Sequence, residues 1–185
     1  AQLERRGGWL IVDEALADAD ADADNCLTAL AGSSEAPRLI VLRSLGKFFG
    51  LAGARVGFVF GAAEKLDRLR EMLGPWPVSH PARAVACGAL ADSAWQEAAR
   101  IRLAADSQRL AQTLAPLGEV SRSALFCSLS VADDATLAAL VEHFARRAIL
   151  TRRFDPLRLL RFGLPGSETE WQRLSRAIAE WISRC

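Results

Sequence analysis

The sequence predicts an α/β fold, and three observations carry that prediction. Three short, continuous apolar runs stand in the first third of the chain, each released into charge or glycine. Helical periodicity then takes over, punctuated by prolines and glycines. The composition, 51% apolar against 24% charged, supplies a packed core and is too apolar for disorder. Strands that stay apolar on both faces belong to sheets covered on both sides, which is the α/β layer arrangement.

Taken in order, Trp9-Leu10-Ile11-Val12 predicts a buried strand that delivers Asp13 and Glu14 at its C-terminal end. Arg38 to Leu42 repeats the design and exits at Arg43-Ser44, and Val56 to Phe60 is a third strand closed by Gly61. Ala62 to Leu73 is an amphipathic helix stopped by Gly74-Pro75-Trp76-Pro77. Helices over Pro81 to Ala91 and Ala94 to Leu114 follow, the second ended by Pro116-Leu117-Gly118. Leu125 to Val131 predicts a strand, Thr136 to Arg147 a helix, and Ala148 to Leu150 a short strand. Leu157 to Leu164 is the last strand, before a closing helix over Glu168 to Ser183 with Ser167 as N-cap and Glu170 completing a capping box. Residues 1–92 thus form part of a larger α/β layer and residues 93–185 a smaller α+β unit, joined through the long helix near Asp92.

Charge and composition exclude several classes. The formal net charge is +1 with both signs interspersed, so no overall field recruits nucleic acid or an anionic membrane. No apolar run is long enough to span a bilayer, and nothing at the N-terminus reads as a signal peptide. The cysteines Cys26, Cys87, Cys127 and Cys185 lack CxxC or Cys/His metal spacing and predict reduced, mostly buried thiols of a cytoplasmic protein. Asp18, Asp20, Asp22 and Asp24 imitate a calcium loop, but Ala23 stands where the turn glycine belongs and Ala29 where the bidentate acid belongs, so a solvated acidic loop is expected. The chain opens on Ala1 directly before a strand, and its only methionine is Met72, which predicts a fragment of a longer protein.

The stretch richest in chemistry runs from Arg43 to Gly57, RSLGKFFGLAGARVG. It is not a P-loop, because Phe48 occupies the Ser/Thr position and no glycine stands five residues before Gly46. Gly50, Gly53 and Gly57 also lack the dinucleotide spacing. What remains is Lys47 at a strand exit, with one hydroxyl and two arginines nearby. A lysine nucleophile for a phosphorylated carbonyl compound wants apolar surroundings and neighbouring cations, which favour its neutral amine. Ser44 and Arg55 suit a phosphate by hydrogen bond and charge, and the glycines permit close backbone approach. These local features leave two readings open, a cofactor lysine and a surface lysine in a glycine-rich turn.

The stretch resembles the Schiff-base signature of class I/II aminotransferases, fold-type-I enzymes dependent on pyridoxal 5'-phosphate. In that pattern a Ser/Thr precedes the lysine by three residues and a phosphate-binding arginine follows it by eight, as Ser44, Lys47 and Arg55 do. Val12-Asp13-Glu14-Ala15 is similar to the family's strand end, whose aspartate pairs with the pyridinium nitrogen; Asp13 takes that role, and Glu14 competes only if the strand register shifts by one. Leu159-Leu160-Arg161-Phe162-Gly163 resembles the strand bearing the substrate-carboxylate arginine, with Arg161 the better match and Arg158 the fallback. The resemblance implies that residues 1–92 belong to the large cofactor-binding domain and 93–185 to the small C-terminal domain. It covers roughly the C-terminal half of such an enzyme. The stacking aromatic, the N-terminal phosphate loop and an asparagine near the cofactor's 3-hydroxyl are expected before Ala1. Leu16 stands where many relatives have a tyrosine, and the chain has no tyrosine.

Leu42 to Gly50, Pro75 to Ser79 and Leu160 to Pro165 are most similar to the threonine-phosphate decarboxylases of cobalamin biosynthesis. That resemblance implies a carboxy-lyase converting L-threonine O-3-phosphate to (R)-1-aminopropan-2-yl phosphate. A histidinol-phosphate-type aminotransferase is the alternative, and a truncated relative without catalysis a third reading. A small phosphorylated amino acid as substrate, pyridoxal phosphate as cofactor and a homodimer are implied, with no nucleic-acid or membrane partner. Trp76 is a candidate lining residue of the substrate pocket, with packing as its other role. His80 either approaches the site or stands at a helix start or in the core; His143 is expected as structural, and Trp95, Trp171 and Trp181 in the core.

Overall fold

In the computed structural model of the chain, residues 6–20 and 26–183 are described. Asp22, Asp24, Cys185 and the opening residues 1–5 lie outside them. The chain divides into two compact units, Ala1–Ala99 and Arg100–Cys185. The division falls inside a helix, a few residues beyond the Asp92 junction at which the sequence changes character. No helix among the described residues is long and apolar enough to cross a membrane.

The first unit is built on a three-stranded sheet of order β1-β2-β3. Strand β1 (Leu10–Asp13) runs parallel to β2 (Leu39–Ser44), which pairs antiparallel with β3 (Gly57–Phe60). Central β2 buries Leu39 and Val41 on one face, as its β-branched, apolar run demands. The expectation that β1 is buried fails in this chain: Leu10 is 46% and Ile11 61% exposed. No other strand among the described residues pairs with its outer edge, so one side of an apolar strand faces solvent. Gly32, at φ +75°, sits against the Gly61–Ala62 backbone, where any β-carbon would collide. Helix α1 (Ala63–Leu73) ends at Gly74, whose positive φ releases the chain into Pro75. Helix α2 (His80–Ala91) starts at Ser79, whose Oγ accepts from the Ala82 N–H at 3.4 Å, and α3 (Ser93–Leu114) follows.

The second unit holds an antiparallel four-stranded sheet of order β4-β5-β7-β6: Val120–Arg122, Phe126–Ser130, Leu159–Gly163 and Arg152–Phe154. Helix α4 (Asp134–Ala145) and helix α5 (Glu168–Ile182) cover one face with the end of α3. The alternation of the strands decides which side chains enter the core: Cys127, Leu129, Leu160 and Phe162 point in, meeting Leu110, Leu137, Phe144 and Trp171. Each such large apolar side chain stabilises the fold by roughly 1.5–3 kcal/mol through burial. Asp133 caps α4, accepting from the Thr136 N–H and hydroxyl, both at 2.8 Å, and the N–H bond holds its carboxyl below the usual range. The capping box on α5 forms in altered shape. Ser167 Oγ accepts from the Glu170 N–H, while the Glu170 carboxylate reaches the Gly166 N–H at 2.6 Å.

Ala148 to Leu150 is not a strand: the Ala148 and Ile149 amides donate to Ala145 and Phe144 carbonyls, and Ala148 takes φ +54°, so this run closes α4 and the strand starts at Arg152. The short, polar β4 had no apolar signal to announce it. Trp95 is 41% exposed instead of core, and its ring packs on Phe48 and Phe49. Trp171 is buried and Trp181 packs at the edge of the same core. His143 is buried, with Nε2 2.8 Å from the Ala177 carbonyl oxygen, whereas exposed His80 begins α2. The thiols are less uniformly buried than expected: Cys127 is buried, Cys26 half-buried and Cys87 exposed.

Candidate active site

Strand register sorts the acids after β1. Asp13 stands beside Leu42, so in this parallel pair Asp13, Leu42 and Ser44 share one face of the sheet. Ser44 in turn opposes Gly57 across the β2–β3 pair, where a β-carbon would come within 3.2 Å of the Arg43 carbonyl oxygen. Asp13 is exposed, and its Oδ1 accepts from the Ala15 N–H at 2.9 Å in a local turn.

Glu14 and Arg43 fall on the opposite face and meet there. The Glu14 carboxylate accepts from the Leu27 N–H at 2.6 Å, the Thr28 hydroxyl at 2.8 Å, the Cys26 thiol at 3.3 Å and Arg43 Nε at 3.2 Å. Arg43 continues to Asp18 at 2.5 Å and also contacts the Cys26 sulfur. Burial pushes the Glu14 carboxyl up, but these hydrogen bonds and the guanidinium together hold it below the usual carboxylate range. Burial and the bond to Glu14 push the Cys26 thiol up. Glu14 is therefore engaged beneath the sheet, and Asp13 is the acid on the Ser44 face. Asp18, read from sequence as part of a solvated loop, is instead tied to Arg43.

Residues 45–56 form a loop closed at its base by the Leu45 N–H donating to the Val56 carbonyl. Leu45, Phe48, Phe49 and Val56 are buried and pin the loop down, Phe48 and Phe49 meeting edge to face at 5.0 Å between centroids. Lys47 and Arg55 are exposed. The apolar side chains thus anchor the loop instead of enclosing the Lys47 amine, which differs from the surroundings expected for it. The Gly50 N–H donates to the Lys47 carbonyl at 3.0 Å, a turn that uses the positive φ of Gly50. Arg55 itself has a left-handed backbone, φ +53°, and its guanidinium donates to the Ala52 carbonyl at 3.2 Å. A non-glycine residue held there marks a site whose surroundings over-determine it.

In the second unit the two candidate arginines differ. Arg158 is a left-handed cap residue whose guanidinium is spent on Asp134 Oδ1 (3.1 Å) and the Ala132 carbonyl (3.2 Å). The guanidinium of Arg161, on β7, makes no hydrogen bond or ion pair among the described residues and lies over the rings of Phe126 and Phe154. Trp76 is 76% exposed and its ring lies 5.8 Å from that of His80; Leu16 is 42% exposed and precedes the one-turn helix Ala17–Ala19.

Residues 1–178 match the family model for aminotransferase class I and II. The chain belongs to that family. It is 49% identical over 180 residues to the threonine-phosphate decarboxylase of Pseudomonas aeruginosa, covering 96% of this chain and 52% of the relative. It is 33% identical to histidinol-phosphate aminotransferase 2 of Burkholderia mallei, over 94% of this chain and 49% of the relative. The histidinol-phosphate aminotransferase of Sinorhizobium meliloti, solved in complex with pyridoxal-5'-phosphate, superposes with a TM-score of 0.79 at 26% identity, over 96% of this chain and 49% of that one. The chain spans about half the length of the curated relatives it matches. Its fold is accordingly that of part of a fold-type-I enzyme. Sequence reading of this aminotransferase-family chain passed over Phe126, Phe154 and the Glu14–Arg43 contact. The glutamate and arginine stand 29 residues apart, and the signal available was the matching parity of two residues at neighbouring strand ends.

Proposed function

We propose that this chain supplies part of the active site of a pyridoxal-phosphate-dependent carboxy-lyase acting on L-threonine O-3-phosphate, with (R)-1-aminopropan-2-yl phosphate as product, in cobalamin biosynthesis. The observation that carries this reading is the greater similarity to a threonine-phosphate decarboxylase than to the histidinol-phosphate aminotransferase, spread along nearly the whole chain. The residues fit the cofactor by chemistry. Adjacent strand ends offer an acid and a hydroxyl on one face, the following loop offers an amine and a guanidinium, and β-carbon positions at Gly50 and Gly53 open on empty space.

In this reading Lys47 holds the cofactor carbonyl and afterwards carries a proton to the substrate carbon. Asp13 keeps the ring nitrogen protonated by charge. Ser44 and Arg55 hold the cofactor phosphate, the first by hydrogen bond and the second by a charge-assisted pair. Bound pyridoxal phosphate supplies an electron-withdrawing ring that accepts the electron pair released when a bond at the substrate α-carbon breaks. Arg161 binds the substrate carboxylate with its free fork of donors, and Arg158, already engaged, does not. Trp76, exposed in this chain, is a lining residue of the substrate pocket. The protein acts in the cytoplasm as a homodimer, a state that sedimentation of the whole protein checks.

The whole protein tests the reading. Threonine phosphate should release carbon dioxide with no keto-acid acceptor present, and the visible band of lysine-bound pyridoxal phosphate should vanish in Lys47→Ala. Turnover of histidinol phosphate only with 2-oxoglutarate replaces the decarboxylase by the aminotransferase. A wild-type protein without the band sinks both enzyme readings and leaves a non-catalytic relative.

A further inference from the structure

Beyond the role of Arg161 itself lies the question of what holds its guanidinium. Strand β7 alternates Leu159, Arg161 and Gly163 on one face with core residues Leu160 and Phe162 on the other. Register places Phe126 opposite Gly163 on β5 and Phe154 opposite Leu159 on β6. Each ring is therefore a diagonal neighbour of Arg161, one from either flanking strand, at a separation that aromatic and long side chains bridge. The Arg161 guanidinium carbon lies 4.5 Å from the Phe126 ring centroid and 5.4 Å from that of Phe154. Phe154 also carries Arg152, at 5.0 Å, and Arg152 stands directly opposite Arg161.

A guanidinium over aromatic faces uses its π surface and keeps its N–H groups, which lie in its plane, for a ligand at its edge. An arginine held by a carboxylate, like Arg158, has spent those same donors. Both phenylalanines are half-buried and stand on the sheet face opposite the core, so packing of the hydrophobic core does not account for them. We infer that Phe126 and Phe154 are positioning residues that pre-order Arg161 between two strands, and so set the preference of the site for a substrate bearing a carboxylate. Stacked rings take up part of the rotamer entropy of a long side chain before ligand arrives, and the ligand then loses less affinity on binding.

This inference rests on the assignment of Arg161 to the substrate carboxylate, and the experiment separates the two. In the whole protein on a Lys47→Ala background, titration calorimetry compares L-threonine O-phosphate with 1-aminopropan-2-yl phosphate, the same skeleton without the carboxylate. Phe126→Leu and Phe154→Leu should each weaken the carboxylate ligand about fivefold and the carboxylate-free ligand less than about twofold. Phe126→Tyr and Phe154→Tyr, which keep the ring, should bind both ligands as the parent does. Equal weakening of both ligands, no weakening of either, or tyrosine variants as impaired as leucine variants overturns the inference in favour of plain packing. Arg161→Lys is the control on the underlying assignment. If it leaves threonine phosphate affinity unchanged, the carboxylate role of Arg161 falls and the inference with it. If it weakens that ligand while the phenylalanine variants do not, the positioning role alone is wrong.

Discussion

In the first unit the side chains beneath the strand ends are polar: Glu14, Thr28, Cys26, Asp18 and Arg43 share one connected set of contacts under β1 and β2. In the second unit the space beneath the strands is filled by Leu110, Leu129, Phe144, Leu160 and their neighbours, all essentially inaccessible, and the charged residue of interest lies on the other face between aromatic rings. Polar contacts are directional, so they suit a unit that must hold two strand ends and a loop in fixed register. Apolar packing is non-directional and strong in sum, so it suits a platform that presents one side chain. The two units therefore respond differently to mutation.

The largest effect is expected in the second unit. Phe144→Ala removes a fully buried ring that meets Phe162 edge to face at 5.0 Å and should cost about 3–5 kcal/mol. Denaturant unfolding followed by far-ultraviolet circular dichroism reads this loss. A loss below about 1 kcal/mol means that the site collapses around the cavity, and the description of this core as tightly filled is then wrong.

In the first unit the corresponding change is Arg43→Met, which leaves the buried Glu14 carboxylate without its cation and should cost about 3 kcal/mol. Its signature is pH-dependent. The Glu14 carboxyl is held below its unfolded value, so its stabilising contribution is complete above that value, about pH 4.3, and is lost as pH falls through the lower folded pKa. Glu14→Gln should flatten the acid side of the stability profile in that window, whereas Phe144→Ala should shift the profile down evenly. An unchanged acid limb in Glu14→Gln removes Glu14 as the group that gives this unit its acid sensitivity.

The same contrast explains what was legible in the sequence. Core alternation in Leu159 to Gly163 and the apolar run at Leu39 to Val41 announced strands, because burial imposes a period that sequence displays. That Asp13 and Glu14 fall on opposite faces of the sheet was legible too, since parity on a strand separates them, although the partners of Glu14 were not. Contacts between distant strands leave no local period, so the Phe126–Arg161–Phe154 arrangement and the strand Val120–Arg122 stayed hidden. Ala148 to Leu150 misled because a β-branched apolar run reads the same whether it pairs with a strand or folds back on a helix end. The exposure of Lys47 was equally invisible: the phenylalanines beside it in sequence are buried while its own side chain is exposed.

The smallest effect is expected at the thiols, because each unit carries a cysteine whose thiol is pushed up for a different reason. For Cys127 the cause is burial alone against a weak opposing pull from Arg122, and its surroundings are the hydrophobic core. For Cys26 burial leads, and the hydrogen bond donated to Glu14 and the charge of that carboxylate add to it, with Arg43 opposing. Among the three described thiols, labelling at pH 8 should therefore reach exposed Cys87 first, Cys26 next and Cys127 only as the second unit unfolds. Glu14→Gln removes the carboxylate but leaves Arg43, so the Cys26 thiolate gains population and labelling there should rise several-fold, while Cys127 is unmoved. A raised pKa in the folded state means that the stability contributed by the Cys26 thiol is present below its unfolded value, about pH 8.5, and declines as pH climbs through the folded one. If Glu14→Gln speeds Cys26 and Cys127 alike, the variant has loosened the whole chain. If it speeds only Cys26, the polar set under β1 and β2 is a local device, independent of the core that supports Arg161.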